Sequence, residues 1–278
     1  MAKRKRSITE ESIRKREKEG RGQGRGANYN PYLYIQDVAS SGLATRIRGW
    51  HTGRIHHLLS KLEFTYFLNL EWPSPIDIRE QFPLDREVTI EISRQLGIKH
   101  PTHPKTKVPI VMTTDFVITI QRGGELIDLA RCVKYEKELG SQRVLEKLEI
   151  ERVYHEIKKI DWGIVTEHEV NYTLAEVVKW VHPYRDLVSL QPLSADMIKR
   201  IRTLLMPKVQ EGRRPLRDIT NECDDLLCLE PGSSLLVVRH LIATRILQVD
   251  VSKPINPSEI LVLTTEPATI KRGRGMVA

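Results

Sequence analysis

The stretch that decides the fold is residues 110–120, IVMTTDFVITI, followed after a short RGGE loop by residues 126–134, LIDLARCVK. Both segments are rich in β-branched residues, and the glycine pair between them predicts a hairpin of two strands. Asp115 lies in the middle of the first strand, although aspartate is a poor strand former. Alternation places the side chains of Cys132 and Lys134 on one face of the second strand. The hairpin therefore brings an acid and a lysine onto neighbouring strands.

Helices are predicted on both sides of this hairpin. Residues 54–71, RIHHLLSKLEFTYFLNLE, have helical periodicity, and Glu63 lies on or beside the buried stripe. Ser141 is a plausible cap for a helix over residues 141–158, and residues 160–166, IDWGIVT, predict another strand. The order of helix, hairpin, helix and strand indicates an α/β domain that ends near residue 168.

The second half of the chain has a different pattern. Helices are expected over 173–182, 194–211, the segment after Pro215 and SLLVVRHLIAT; two strands, RILQVDV and ILVLTT, then flank a turn, SKPINPSE. Helices followed by two strands around a turn are typical of a winged-helix domain. The last helix would then be the recognition helix, with Arg239, His240 and Arg245 as its polar contacts.

The net charge of +8 is concentrated at the two ends of the chain. Residues 1–26 carry ten Lys/Arg and four Glu, residues 271–278 carry three Lys/Arg and no acid, and the remainder is nearly neutral. Such ends are either solubilising tails or arms that contact DNA phosphates without reading sequence. We interpret the N-terminal segment, with its glycine-rich RGQGRG stretch, as an adaptable arm. Its candidate DNA contacts are Lys3, Arg4, Lys5, Arg6, Arg21 and Arg25.

Several classes of protein are disfavoured by composition. No apolar run is long enough to cross a membrane, and the first residues lack the apolar stretch of a secretory signal, so we expect a cytoplasmic, nucleoid-associated protein. The three cysteines form no CxxC pair, so neither a disulfide framework nor a zinc site is indicated.

The acids and the lysine suggest a particular chemistry. Hydrolysis of a phosphodiester needs an activated water and neutralisation of phosphate charge, which carboxylate-held Mg²⁺ and a lysine together supply. Glu63 from a helix, Asp115 from one strand and Lys134 from the next give the pattern of the restriction-endonuclease-like fold. The alternatives are a salt bridge at the edge of the core for Glu63 and a simple cross-strand ion pair for Asp115 and Lys134.

A longer pattern supports the first interpretation. The segments EGRGQGRG, HHLLSKLE, LNLEW, DIREQFPL, GIKHP, TTDF and EKLEIER follow one another between residues 17 and 168. Together they resemble the TnsA family, the endonuclease subunit of heteromeric cut-and-paste transposases. Beyond about residue 170 the resemblance rests on the order of elements alone.

The resemblance implies both roles and partners. Glu63 matches a helical metal-binding glutamate, Asp115 an aspartate that bridges two Mg²⁺ ions, for which Mn²⁺ can substitute, and Lys134 the catalytic lysine. TnsA-like proteins nick double-stranded DNA at the 5′ ends of a transposon beside TnsB, an integrase-like transposase. Their C-terminal domain resembles a platform for TnsC, an AAA+ ATPase, which favours protein binding over DNA reading by the winged helix.

One position departs from the family pattern. Cys132 stands where Gln or Glu is usual, and a thiol is poorly matched to Mg²⁺. Backbone carbonyls of Cys132 or Val133 with water would then complete the metal shell. Glu149 on the following helix could approach this shell from outside, although a solvated helix face is the favoured role for it. A standalone nuclease of the same fold, or a non-catalytic winged-helix DNA-binding adaptor with a decayed site, remain alternatives.

The expected organisation has four parts. Residues 1–26 form the basic N-terminal arm, and residues 27–168 the restriction-endonuclease-like domain of α/β class. Residues 169–270 form the winged-helix domain, and residues 271–278 a basic tail.

Overall fold

The computed structural model describes residues 7–38 and 43–265, and these divide into two compact units between Val170 and Asn171. The predicted arm residues Lys3, Arg4, Lys5 and Arg6 and the basic tail of residues 271–278 lie outside the described residues. Among the described residues no helix is both long and apolar enough to span a membrane.

The first unit is a mixed α/β domain built on a four-stranded sheet. The sheet has the order β3-β4-β5-β6, in which β3, β4 and β5 are antiparallel neighbours and β6 is parallel to β5. A separate hairpin joins β1 and β2. The strands are β1 (Thr45–Arg48), β2 (Ile55–Leu58), β3 (Asp77–Pro83), β4 (Thr113–Arg122), β5 (Glu125–Val133) and β6 (Asp161–Val165).

Helices of the first unit precede and connect these strands, and β5 reaches its parallel neighbour through α4 and α5, the long crossover that such a pair requires. Two apolar clusters form the core, one including Leu62 and Phe67 of α2 with Phe116 of β4, the other Ile92 of α3 with Ile150 of α5. The helices are α1 (Glu10–Lys18), α2 (Lys61–Glu71), α3 (Arg86–Gln95), α4 (Glu136–Leu139) and α5 (Gln142–Ile157), with a 3₁₀ turn at Gly26–Asn28.

The prediction of one helix over residues 54–71 is wrong in its first part. The segment begins as strand β2, turns at Ser60, whose hydroxyl accepts the N–H of Glu63, and only then becomes α2. In β2 the buried side chains are His56 and Leu58. The imidazole of His56 lies 2.8 Å from the fully buried carboxylate of Glu80, so this histidine belongs to the core.

The glycine-rich loop is attached to the sheet rather than free. The N–H of Gly26 donates to the Asp77 carboxylate at 3.0 Å. Gly22 and Gly24 have positive φ, and a Cβ at Gly22 would lie 2.1 Å from the ring of Pro83. The adaptable-arm interpretation is therefore corrected for this stretch: its glycines allow close backbone packing.

The second unit is helical among its described residues. Its helices coincide with the predicted segments, and Asp224 caps the last one by accepting the N–H of Ser234 at 2.8 Å. Buried Val177, Ile201, Leu241 and similar side chains form its interior. The helices are α6 (Tyr172–Val181), α7 (Ala195–Glu211), α8 (Leu216–Leu226) and α9 (Ser233–Ala243), with 3₁₀ turns at His182–Tyr184 and Leu187–Leu190.

The two strands expected after α9 are reduced to one antiparallel bridge between Gln248 and Thr264 within the described residues. The expected polar contacts also point elsewhere: Arg239 donates to the Tyr184 hydroxyl and stacks on Trp180, and His240 bonds the Tyr184 carbonyl. Arg245 is partly buried, and burial lowers its pKa to about 10. Arg239 and His240 thus hold the helices of this unit together, so their expected role in DNA reading is corrected.

Candidate active site

The site is centred on Asp115, at the point where β4 and β5 diverge. Phe116 pairs with Arg131, and beyond this pair the ladder between the two strands ends. There the Asp115 carboxylate takes the place of a ladder partner and accepts the Val133 N–H at 2.7 Å. The same oxygen accepts from Lys134 Nζ at 2.8 Å and lies 3.4 Å from Cys132 Sγ. Aspartate is a poor strand former, but Asp115 is suited to this position of β4. Its carboxylate supplies the hydrogen-bond acceptor that is missing where the two strands separate.

Lys134 is held in place at both its backbone and its side chain. Its N–H donates to Val165 O of β6 at 3.0 Å, and its Nζ donates to Val133 O at 2.9 Å as well as to Asp115. Burial alone would lower the pKa of Lys134, but the Asp115 carboxylate raises it well above the ordinary value. Lys134 is therefore a fixed cation and hydrogen-bond donor, not a base.

Glu63 enters the site from the first turn of α2. Its Oε2 accepts the Leu59 N–H at 2.9 Å and the Gln81 side-chain amide at 3.3 Å. Burial, with the added repulsion of Asp115, raises the pKa of Glu63 to about 7. The two predicted carboxylates are therefore close enough to disfavour each other's charge, which is the condition that a shared cation relieves.

Glu151 of α5 is an acid of the site that the sequence analysis did not single out. Its side chain is fully buried, its Oε1 accepts the Trp162 indole N–H at 3.1 Å, and burial together with Asp115 raises its pKa to about 7. The same surroundings, burial first and then Glu151 and Asp115, raise the pKa of the Cys132 thiol well above its usual value. Cys132 is thus a neutral, buried thiol beside Asp115.

Glu149, the acid expected on this helix, is not at the site. It forms an ion pair with Arg152 at 2.8 Å on a half-exposed part of α5. Glu151 lies two residues on, about 200° around the helix, and faces inward. Leu148 and Tyr154 are buried on one face of α5, and Glu151 lies between them on the same face. Helical periodicity based on these two residues would have predicted Glu151 as the inward-facing acid.

The arm residues within the described part of the chain have unequal surroundings. Arg21 pairs with Glu19 and Asp37, donates to Tyr32 O and stacks on Tyr34, so its expected phosphate contact is replaced by an internal role. Arg25 remains 61% exposed in its side chain and lies 3.3 Å from Asp128. Of these two arginines, only Arg25 keeps a largely exposed side chain.

The donor set suits a hard cation. Glu63 and Asp115 offer carboxylate oxygens and Val133 a carbonyl oxygen, the ligand types that Mg²⁺ prefers. Over residues 7–38 and 43–265, no three His, Cys, Asp or Glu side chains are gathered as a ready ligand set. A bound cation would therefore rest on two carboxylates, the Val133 carbonyl and water.

Comparison with known proteins places this chain in a class. Residues 73–167 match the family model described as "TnsA-like endonuclease N terminal", and residues 169–251 match "TnsA endonuclease C terminal". Both models describe parts of TnsA endonucleases. The chain is also 39% identical over 254 residues to the Transposon Tn7 transposition protein TnsA of Escherichia coli, covering 91% of this chain and 90% of that protein. The chain belongs to the TnsA family of transposition endonucleases.

Proposed function

We propose that the first unit is a Mg²⁺-dependent nuclease that nicks double-stranded DNA at the 5′ ends of a transposon, with Glu63, Asp115 and Lys134 as its active-site residues. The observation that carries this proposal is the position of Lys134 Nζ, 2.8 Å from the Asp115 carboxylate and 2.9 Å from the Val133 carbonyl, with Glu63 close enough for its pKa to be raised by Asp115.

Each residue has a defined task in this proposal. Bound Mg²⁺ would supply an activated water and neutralise the phosphate charge; Glu63, Asp115 and the Val133 carbonyl would hold it, two ions being expected and Mn²⁺ able to substitute. Lys134 stays protonated and offers its ammonium to a phosphate oxygen that gains charge as water attacks the phosphorus. Glu63 must lose its proton before it can act as a ligand, and a cation bound beside it would favour the charged carboxylate.

Cys132 supports the scaffold rather than the metal shell. Its thiol remains protonated beside Asp115 and is a soft, neutral group, so a hard cation would take oxygen ligands instead, and Val133 O lies within the site, 2.9 Å from Lys134 Nζ. This arrangement favours an active site over the decayed site of an adaptor, because the lysine and both acids are present and interact.

The second unit serves as a protein-binding platform in this proposal. Arg239 and His240 are used inside the helical unit, which argues against a helix that reads bases. We infer that a winged-helix-like unit, with a wing shortened to the Gln248–Thr264 bridge, contacts a TnsC-like AAA+ ATPase while a TnsB-like transposase acts at the other strand.

The test is nicking of DNA that carries the transposon ends, with the partner proteins present. Asp115→Asn and Lys134→Ala should each lower the nicking rate by about 10²-fold or more, because each removes charge stabilisation at the phosphate. Glu149→Gln, which changes a half-exposed acid of α5, should nick normally. Full nicking by either site variant would contradict the assignment, and robust nicking without any partner protein would favour a standalone nuclease.

A further inference from the structure

The backbone of β3 is distorted at one residue, directly opposite Asp115. Glu80 pairs with Phe116 and Phe82 pairs with Thr114, so Gln81 faces Asp115 across the ladder but forms no regular pair. Gln81 has φ of +50°, a left-handed conformation that residues with a side chain rarely adopt. Such strain persists only where the surroundings hold it, and it is concentrated at functional sites.

Three contacts hold Gln81 in this conformation. Its carbonyl accepts the Tyr32 N–H at 3.3 Å, and its side chain, almost fully buried, lies between two residues of the site. The side-chain Nε2 donates to Glu63 Oε2 at 3.3 Å, while Oε1 accepts from the Thr113 hydroxyl at 3.4 Å. The distortion of β3 therefore turns this amide toward Glu63.

An amide is suited to position an acid that must keep its charge. A lysine or arginine at this place would neutralise Glu63 and compete with a cation, whereas a neutral N–H fixes the carboxylate and leaves its charge available. The Leu59 N–H and the Gln81 amide both bind Oε2, and neither bond uses Oε1. Oε1 can therefore turn to a cation while Oε2 anchors the side chain.

We propose that Gln81 is a positioning residue of the nicking site, whose left-handed backbone directs its amide to orient the Glu63 carboxylate toward a divalent cation shared with Asp115. This inference rests on the proposed nuclease function. In this inference, the strained backbone at Gln81 serves to hold Glu63 in position. The hydrogen bond from the Tyr32 N–H to the Gln81 carbonyl makes the segment around Tyr32 part of the support of the site.

Gln81→Gly tests the role of the side-chain amide separately from the left-handed backbone conformation. Glycine adopts φ of +50° without strain, and this relief offsets part of the cost of removing a buried side chain, so the variant should still fold with a thermal midpoint near that of the unmodified protein. We expect its Mn²⁺ affinity, measured by calorimetry on the full chain, to fall about tenfold or more, within the range seen when groups that orient metal ligands are removed. Its nicking rate should fall as well and recover partly when the Mn²⁺ concentration is raised. Gln81→Met, which keeps the side-chain volume without the amide, carries the same expectation if the glycine variant folds poorly.

Lys107→Gly is the matched control. Lys107 is an exposed residue with φ of +61°, so its replacement relieves the same backbone strain away from the site. It should bind Mn²⁺ and nick like the unmodified protein. Normal Mn²⁺ affinity and nicking in Gln81→Gly would overturn the inference.

Parallel measurements on Asp115→Asn and Lys134→Ala separate the two proposals. If both are inactive and Gln81→Gly is normal, the inference alone fails. If both nick normally, the proposed function fails first. An unmodified protein that binds no Mn²⁺ would count against both.

Discussion

Glu149 and Glu151 lie two residues apart on α5 and have opposite surroundings, one paired with Arg152 at the surface and the other fully buried beside the site. An ordinary glutamate has a pKa of 4.5, whereas burial and Asp115 raise the pKa of Glu151 to about 7. Between these pH values the folded protein holds a proton that the unfolded chain has lost. The contribution of Glu151 to stability is therefore complete below about pH 4.5 and is lost as the pH rises to about 7.

Glu151→Gln should remove this loss of stability at higher pH, because glutamine stays neutral at every pH. At pH 8 the variant should be more stable than the unmodified protein by on the order of 1–3 kcal/mol, and the difference should vanish toward pH 4.5. Urea denaturation at a series of pH values measures this difference. Glu149→Gln should show no such pH-dependent gain, and an equal gain for both variants would contradict the assignment of Glu151 to the buried site.

The cysteines give a second test at the residue scale. Cys132 is 2% exposed and its thiol pKa is raised, first by burial and then by Glu151 and Asp115, whereas Cys228 is exposed. Because the thiolate is the reactive form, iodoacetamide should modify Cys228 in the folded protein at pH 8 and leave Cys132 unmodified for much longer. Mass spectrometry of the digested protein measures this, and denatured protein should be modified at both. Rapid modification of folded Cys132 would mean that the site is open.

At the scale of elements, local signals predicted some parts of the site and not others. The β4–β5 hairpin was predicted from β-branched residues around Asp115, and α2 from its apolar stripe. The short strand β2 was missed because four residues, with His56 and Leu58 inward, are too few to show a period of two before the apolar stripe of α2 begins. The left-handed Gln81 could not be predicted, since its conformation depends on Glu63, Thr113 and Tyr32, which are distant in sequence.

The glycine loop that packs against β3 makes an element-scale prediction. Gly24 has φ of +89°, and a Cβ there would lie 2.3 Å from the Asn28 carbonyl oxygen. Gly97 also has a positive φ, +67°, but a Cβ there would meet nothing within 4 Å. Gly97→Ala should cost about 1–2 kcal/mol of stability for the left-handed conformation alone, and Gly24→Ala clearly more because backbone must also move. Thermal unfolding of both variants measures the difference, and equal losses would show that the loop does not pack as described.

At the scale of the whole molecule, two units and two charged ends have separate tasks in the proposed function. The first unit contains both candidate ligands and the lysine, while Arg239 and His240 of the second unit are engaged with Tyr184. The net charge of +8 comes mainly from the ends, so the ends are expected to provide DNA affinity and the first unit its cleavage. Affinity and catalysis should therefore respond to different substitutions.

The salt dependence of DNA binding tests this separation. Replacing Lys3, Arg4, Lys5 and Arg6 with Ala should weaken binding of any duplex and reduce the slope of log affinity against log salt by about 3 to 4, since each phosphate contact contributes about 0.9. Binding assays between about 50 and 200 mM salt measure this slope. The matched control removes four positive charges that already pair with a neighbouring acid on the same helix: Arg94, Arg152, Lys179 and Arg200. Its slope should change far less, because those cations are already compensated. Equal changes in the two variants would mean that total charge, and not the N-terminal basic cluster, determines the affinity.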